Sequence, residues 1–220
     1  MISLEGLLPE PIALAIFRQL LEAFKVLNKF NIMHRDIKPE NIFLSDGKVK
    51  LGDFGFCKGL KPGEHTLRTM IGSPIYMAPE VLRGEIYTTK ADIWSLGVVL
   101  YEMLFGVAPY EANSIASLAE LIKSREPQML LDRNPISKKT QSLLKKMLAR
   151  DYIRRISWIE LFGVKIDEDG NYIETTSTDR KGFMSSERSI SLYGEPKEKE
   201  ASPPRFYQTS TKIDTGPAPR

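Results

Sequence analysis

The sequence predicts a mainly α domain with short β hairpins, on three observations. Apolar residues recur at helical spacing over most of residues 1 to 163, a turn-forming Ser45-Asp46-Gly47-Lys48 separates two short apolar runs, and the composition changes near Gly163. With 220 residues, 42% of them hydrophobic, the chain can bury most of its apolar surface in one domain.

The first helix opens at Pro9-Glu10-Pro11, where proline's fixed φ suits a first turn, and it carries Ile12, Ile16, Leu20, Phe24 and Leu27 along one face. Ile42-Phe43-Leu44 and Val49-Lys50-Leu51 flank the Asp46-Gly47 turn and read as a small hairpin. A second helix spans about Thr89 to Phe105, apolar on most of its circumference and therefore central. Later helices start near Asn113, near Ser137 and at Ser157, where Ser157 and Glu160 form a capping box and Gly163 can close the C-terminus. After Gly163 come 57 residues with five prolines, many Ser and Thr, and balanced charge, which reads as a disordered, low-complexity tail over 164–220. Ser189 and Ser191 beside Arg188 are possible phosphorylation sites there, against the plainer reading of solvated linker.

Composition excludes several classes of function. Lys plus Arg number 31 against 28 Asp plus Glu, a balance too even to argue for a nucleic-acid or anionic-membrane partner. Cys57 is the only cysteine, so neither an intrachain disulfide nor a thiolate zinc cluster is available, and a reducing, cytoplasmic location is expected. The apolar run from Ile93 to Pro109 is broken by Ser95, Glu102 and two glycines and reads as a core helix, so no membrane span is expected.

The chemistry lies between the first helix and the hairpin, in His34-Arg35-Asp36-Ile37-Lys38-Pro39-Glu40-Asn41, and directly after the hairpin, in Asp53-Phe54-Gly55. Phosphoryl transfer from a nucleotide needs a carboxylate to orient the attacking hydroxyl, oxygen ligands for Mg²⁺ and a cation near the migrating group. Asp36, then Asn41 with Asp53, and Lys38 supply these types, and a hairpin over residues 42–52 returns Asp53 to the neighbourhood of Asn41.

These blocks, with Ala78-Pro79-Glu80, Asp92-Ile93-Trp94-Ser95-Leu96-Gly97 and a late Arg155, resemble in order and spacing a eukaryotic protein kinase. The resemblance covers residues 1 to about 163 and implies the large C-terminal lobe alone. It implies ATP and Mg²⁺ as cofactors and a protein substrate with a Ser or Thr acceptor. Asp36 would accept the hydroxyl proton, Lys38 would neutralise charge on the γ-phosphate, and Asn41 and Asp53 would hold the metal. The lysine two residues after Asp36 is similar to serine/threonine kinases, and Gly72-Ser73-Pro74-Ile75-Tyr76 resembles the substrate-holding loop, with the Ser73 hydroxyl bridging Asp36 and Lys38. Arg35 implies switching by phosphorylation of the loop over 56–71, with Thr69 the first acceptor and Thr66 the second.

By the same resemblance Asp92 anchors the catalytic loop, Glu80 pairs with Arg155, and His34 and Phe54 pack as core residues in a column linking two lobes. Phe43 is either plain core or the floor under the adenine ring. Glu40 either meets a basic substrate residue or is a loop salt-bridge partner. Cys57 reads as a small buried hydrophobe rather than a redox sensor, and His65 as solvent-exposed. Asp-Phe-Gly-Phe and the Thr-x-x-Gly-Ser-Pro-x-Tyr-Met-Ala-Pro-Glu pattern are similar to the autophagy-initiating ULK-type kinases.

No Gly-x-Gly-x-x-Gly and no Val-Ala-x-Lys precede His34, so the part of a kinase that roofs the nucleotide is expected to be missing. Two readings follow. The chain is part of a longer kinase, which the complete catalytic set favours, or it is an isolated lobe serving as a non-catalytic protein-binding module, a pseudokinase-like scaffold that docks partners between residues 72 and 122. In either case the 220 residues alone are expected to be nearly inactive and to expose an apolar patch.

Overall fold

The computed structural model describes residues 6–61, 64 and 66–173. Six α-helices and four short strands occur among them. The first helix, α1 (Glu10–Lys29), starts with Pro at its first turn and buries Leu14, Phe17, Leu20, Leu21, Phe24 and Leu27. Ile12 departs from the expected apolar face: it is 51% exposed, because the buried stripe is centred on Ala13, Ile16, Phe17 and Leu20.

Two antiparallel ribbons follow. In one, β2 (Ile42–Ser45) pairs with β3 (Lys48–Leu51) in the register Ile42↔Leu51 to Ser45↔Lys48. Its two-residue turn has Asp46 and Gly47 at φ of 52° and 70°, the mirror-image turn whose twist matches the strands. In the other, β1 (Ile32–Met33) pairs with β4 (Lys58–Gly59), tying the end of α1 to the chain that follows Asp53-Phe54-Gly55. Two residues per strand carry no readable alternation, so this ribbon has no sequence signature.

The short α2 (Pro79–Leu82) leads to α3 (Lys90–Phe105), in which nearly every side chain is buried. A helix apolar all round must be covered all round. Its cover comes from α1, from α5 (Lys138–Met147), and from the turn at Pro74–Tyr76. Gly97 makes the α3–α5 approach possible, since a Cβ there would stand 3.0 Å from Met147 Cβ and Leu148 Cδ2. The remaining helices are α4 (Ile115–Ser124), capped by Ser114, and α6 (Trp158–Phe162). In α6 the expected capping box is formed in full by Ser157 and Glu160, and Gly163 closes the helix with its N–H on Ile159 O. Trp158 stacks on Phe24 at 5.2 Å and joins α6 to α1.

Packing continues beyond Gly163. Ile166 is buried and bridges to Tyr172, whose hydroxyl lies 2.8 Å from Thr140 Oγ1. Residues 174–220, most of the segment read as a tail, lie outside the described residues, as does His65. None of the helices among the described residues is long and apolar enough to cross a membrane.

One buried ion pair closes the helical body. Arg155 Nη1 and Nη2 donate to Glu80 Oε1 and Oε2 at 2.7 and 2.8 Å, with both side chains at 2% exposure or less. The guanidinium also donates to the Ala149 and Lys90 carbonyls and lies 5.2 Å over the Trp94 ring. Its hydrogen bonds are thus used on three chain segments at once. Arg155→Met leaves Glu80 as a buried, uncompensated carboxylate and is expected to cost about 3–5 kcal/mol in urea unfolding. A loss below about 1 kcal/mol, the range of an exposed pair, would show that the bridge holds nothing together.

Candidate active site

The site is built where the loop between β1 and β2 meets the loop before α2. His34 and Arg35 direct their backbone N–H groups at Asp92 in the first turn of α3, with 2.8 Å to Oδ2 and 3.0 Å to Oδ1. This holds Arg35 at φ 70°, a left-handed conformation that costs a non-glycine residue of order 1–3 kcal/mol. Burial pushes the Asp92 carboxyl above its ordinary value, while the two donated N–H groups favour its ionised form.

Beyond Arg35 the chain turns Asp36 into a cluster of donors. Asn41 Nδ2 bonds the Asp36 carbonyl at 2.8 Å and its Oδ2 at 3.0 Å. Lys38 Nζ lies 3.0 Å from the same Oδ2. From the other loop, Ser73 gives Asp36 Oδ1 both its backbone N–H, at 3.1 Å, and its hydroxyl, at 3.2 Å. Lys38 Nζ in turn donates to Ser73 Oγ at 3.1 Å. The Ser73 hydroxyl therefore bridges the carboxylate and the ammonium, which are 37 and 35 residues away in sequence.

Asp53 reaches the same edge through the hairpin. Gly52 N donates to Asn41 O at 2.8 Å, extending the β2–β3 ladder by one step and delivering Asp53 next, at φ 53°. Asp53 is exposed and uses Oδ1 to accept from Gly55 N. Asn41 has its amide nitrogen committed to Asp36, and no donor among the described residues reaches its Oδ1. An amide oxygen and a carboxylate are the hard oxygen donors that Mg²⁺ takes, so the residues present fit that ion.

Other expected residues fall as follows. His34 is fully buried, with Nε2 3.1 Å from Gly52 O. Phe54 meets the His34 ring at 5.3 Å, tilted by 58°, but is 45% exposed, so it is not the core residue expected. Phe43 is 40% exposed, which removes the plain-core reading, and its ring lies against Gly52. Arg35 Nε donates to the Phe56 carbonyl at 2.6 Å, and no hydrogen bond among the described residues joins it to Thr66 or Thr69. Both threonines are exposed, and the Thr69 carbonyl is held by Tyr87 OH at 2.9 Å. Cys57 is half-buried with its thiol pushed up to about 12 by burial and by the Asp92 charge, which keeps it from acting as a thiolate.

Two anchors of the Ser73 loop were not legible in the sequence. Ser95 Oγ donates to Tyr76 O at 2.7 Å, and Tyr76 OH to Glu102 Oε2 at 2.8 Å. Both Ser95 and Glu102 lie on α3 and join residues 19 and 26 positions apart, a separation no local pattern reports.

Burial alone would raise the Asp36 carboxyl, but the Lys38 ammonium and the bonds from Asn41 and Ser73 outweigh it and hold it below its ordinary 3.8. A folded-state value below the unfolded one means that ionised Asp36 stabilises the fold at pH above the unfolded value, and that this contribution is lost as pH falls through the folded value. Carboxyl NMR is expected to show Asp36 titrating below 3.8, and Lys38→Met to move that titration upward. A titration above 3.8 in the parent chain would contradict the geometry.

Residues 1–165 match the family model described as Protein kinase domain. Serine/threonine-protein kinase ULK3 of Xenopus laevis is 42% identical over 159 residues, covering 71% of this chain and 34% of that protein. The Homo sapiens ULK3 is 42% identical over 161 residues, with the same two shares. Serine/threonine-protein kinase atg1 of Dictyostelium discoideum is 40% identical over 162 residues, 72% of this chain and 24% of that protein. The chain thus spans about a third or less of these relatives. With that match over three quarters of its length, the chain belongs to the protein kinase domain family.

Proposed function

We propose that residues 1 to about 163 form the substrate-side lobe of a serine/threonine protein kinase of the ULK and Atg1 type, which moves the γ-phosphate of ATP to a protein Ser or Thr hydroxyl. The observation that carries this reading is the Ser73 hydroxyl set between Asp36 Oδ1 and Lys38 Nζ at 3.2 and 3.1 Å. In the reaction Asp36 orients the acceptor hydroxyl and takes its proton, and its lowered pKa keeps it ionised for that purpose. Lys38, 23% exposed, presents an ammonium to the migrating phosphoryl group. Asn41 Oδ1 and the Asp53 carboxylate would hold Mg²⁺, which when bound neutralises charge on the phosphate oxygens. Phe43, half-exposed beside Gly52, offers an apolar platform for the adenine ring. The exposed Thr69 and Thr66 are the phosphoacceptors through which Arg35 would order the loop. A single, thiol-form cysteine suits a reducing cytoplasm.

The 220 residues acting alone lack the glycine-rich loop and strand lysine that would close on the nucleotide from above. Phe43 on β2 and Phe54 and Phe56 just after Asp53 are each at least 40% exposed and suit a covering partner.

Fused behind a kinase small lobe, the chain is expected to phosphorylate Ser/Thr peptides with Mg²⁺·ATP and to leave tyrosine peptides untouched. Asp36→Asn should lower that turnover by about 10²–10⁴-fold, the usual share of a positioned proton acceptor. A fusion that binds Mg²⁺·ATP without transferring phosphate would instead identify a binding module. By itself the chain is expected to show no ordinary turnover and to bind a hydrophobic dye; full activity alone would overturn the need for a second lobe.

A further inference from the structure

Gly72 is the residue through which the two loops of the site come into contact. It adopts φ 114°, a region that L side chains rarely enter, and a Cβ at this position would stand 2.4 Å from the Arg35 carbonyl oxygen and 3.4 Å from Asp36 Oδ1. Either fact alone would favour glycine. Together they say that the loop before α2 rests its backbone directly on the catalytic loop.

The Arg35 carbonyl has nowhere to go. Its own residue is held at φ 70° by the Asp92 bond to Arg35 N, and the next peptide is held by Asn41 Nδ2 on Asp36 O. A rotation that cleared the contact would strain these bonds, whereas no hydrogen bond among the described residues holds Met70, Ile71 or Gly72 itself. A side chain at position 72 would therefore displace its own loop. Ser73 follows directly, and its N–H and hydroxyl are the two donors to Asp36 Oδ1. We propose that Gly72 is a positioning residue: its missing side chain lets the loop before α2 seat Ser73 on Asp36 and Lys38, and any larger residue there unseats it.

This inference rests on the kinase reading for its consequence in turnover, but its geometry can be tested without activity. Gly84 supplies the control, because it too has a positive φ, of 66°, yet a Cβ there would meet nothing within 4 Å. Gly84→Ala therefore carries backbone strain alone, and Gly72→Ala strain plus collision. Ser73→Ala removes the hydroxyl donor but keeps the Ser73 N–H in place.

The test is amide hydrogen exchange at position 73 in the 220-residue chain, with folding followed by the near-ultraviolet signal of buried Trp94. The N–H of residue 73, bonded to Asp36 Oδ1 at 3.1 Å, is expected to be protected in the parent, in Ser73→Ala and in Gly84→Ala, and to exchange about tenfold faster or more in Gly72→Ala. Protection in Gly72→Ala equal to that in Gly84→Ala would overturn the proposal. Should Gly72→Ala fail to fold while Gly84→Ala folds, amide exchange in the parent chain decides: a slow Ser73 N–H upholds the seated loop, and a fast one rejects it. In the small-lobe fusion, Gly72→Ala should lower kcat about a hundredfold, as a displacement of order 1 Å does, with KM for ATP little changed. A fusion inactive in its parent form would count against the kinase reading and leave the exchange result standing.

Discussion

The buried carboxylate of Asp92 is the constraint on which the site depends. It sits in the first turn of α3, where the helix N-terminus favours negative charge, and accepts the backbone N–H groups of two consecutive residues, His34 and Arg35. Two such bonds at adjacent positions fix the direction of a loop as well as its place. They hold Arg35 in a left-handed conformation that the residue would leave if free, and so determine where Asp36 points. Removing that acceptor would leave two N–H groups buried and unpaired, a penalty of about 1–3 kcal/mol each.

The same helix does the rest of the organising. Ser95 and Glu102 on α3 hold Tyr76, and with it the turn that follows Ser73, while Arg155 bridges from Glu80 to the Lys90 carbonyl at the helix start. Both loops of the site are therefore referenced to one rigid element. Buried on nearly every face, α3 cannot rotate to relieve a strained contact without disturbing the packing of α1 and α5. Precision in the Asp36, Lys38 and Ser73 cluster is a consequence of that packing more than of the loops themselves.

Exposure follows a different logic. The segments carrying Phe43 and Phe54 present aromatic rings to solvent while the helical body below is closed. The family resemblance implied a packed Phe54, whereas its ring is 45% exposed with the His34 ring 5.3 Å away. Ile12 erred similarly: its helical spacing was right, but the burial stripe of α1 runs through Ala13 and Phe17 instead.

The amino-acid sequence by itself determined the helices, their caps and the tight hairpin, because these follow from interactions within a few residues: Pro at the start of α1, the Ser157–Glu160 box, Asp46-Gly47 at the turn. It also displayed the chemistry-bearing types, since Asp36, Lys38, Asn41 and Asp53 lie close enough along the chain to be seen as a group. The Ser73 bridge was expected from the family resemblance and from no local pattern, and only the tertiary structure decided that Tyr76 is tied to α3, that β1 pairs with β4, and that Gly72 rests on the Arg35 carbonyl. Those contacts join residues far apart in the chain, and their geometry is set by how helices pack, which no local periodicity encodes.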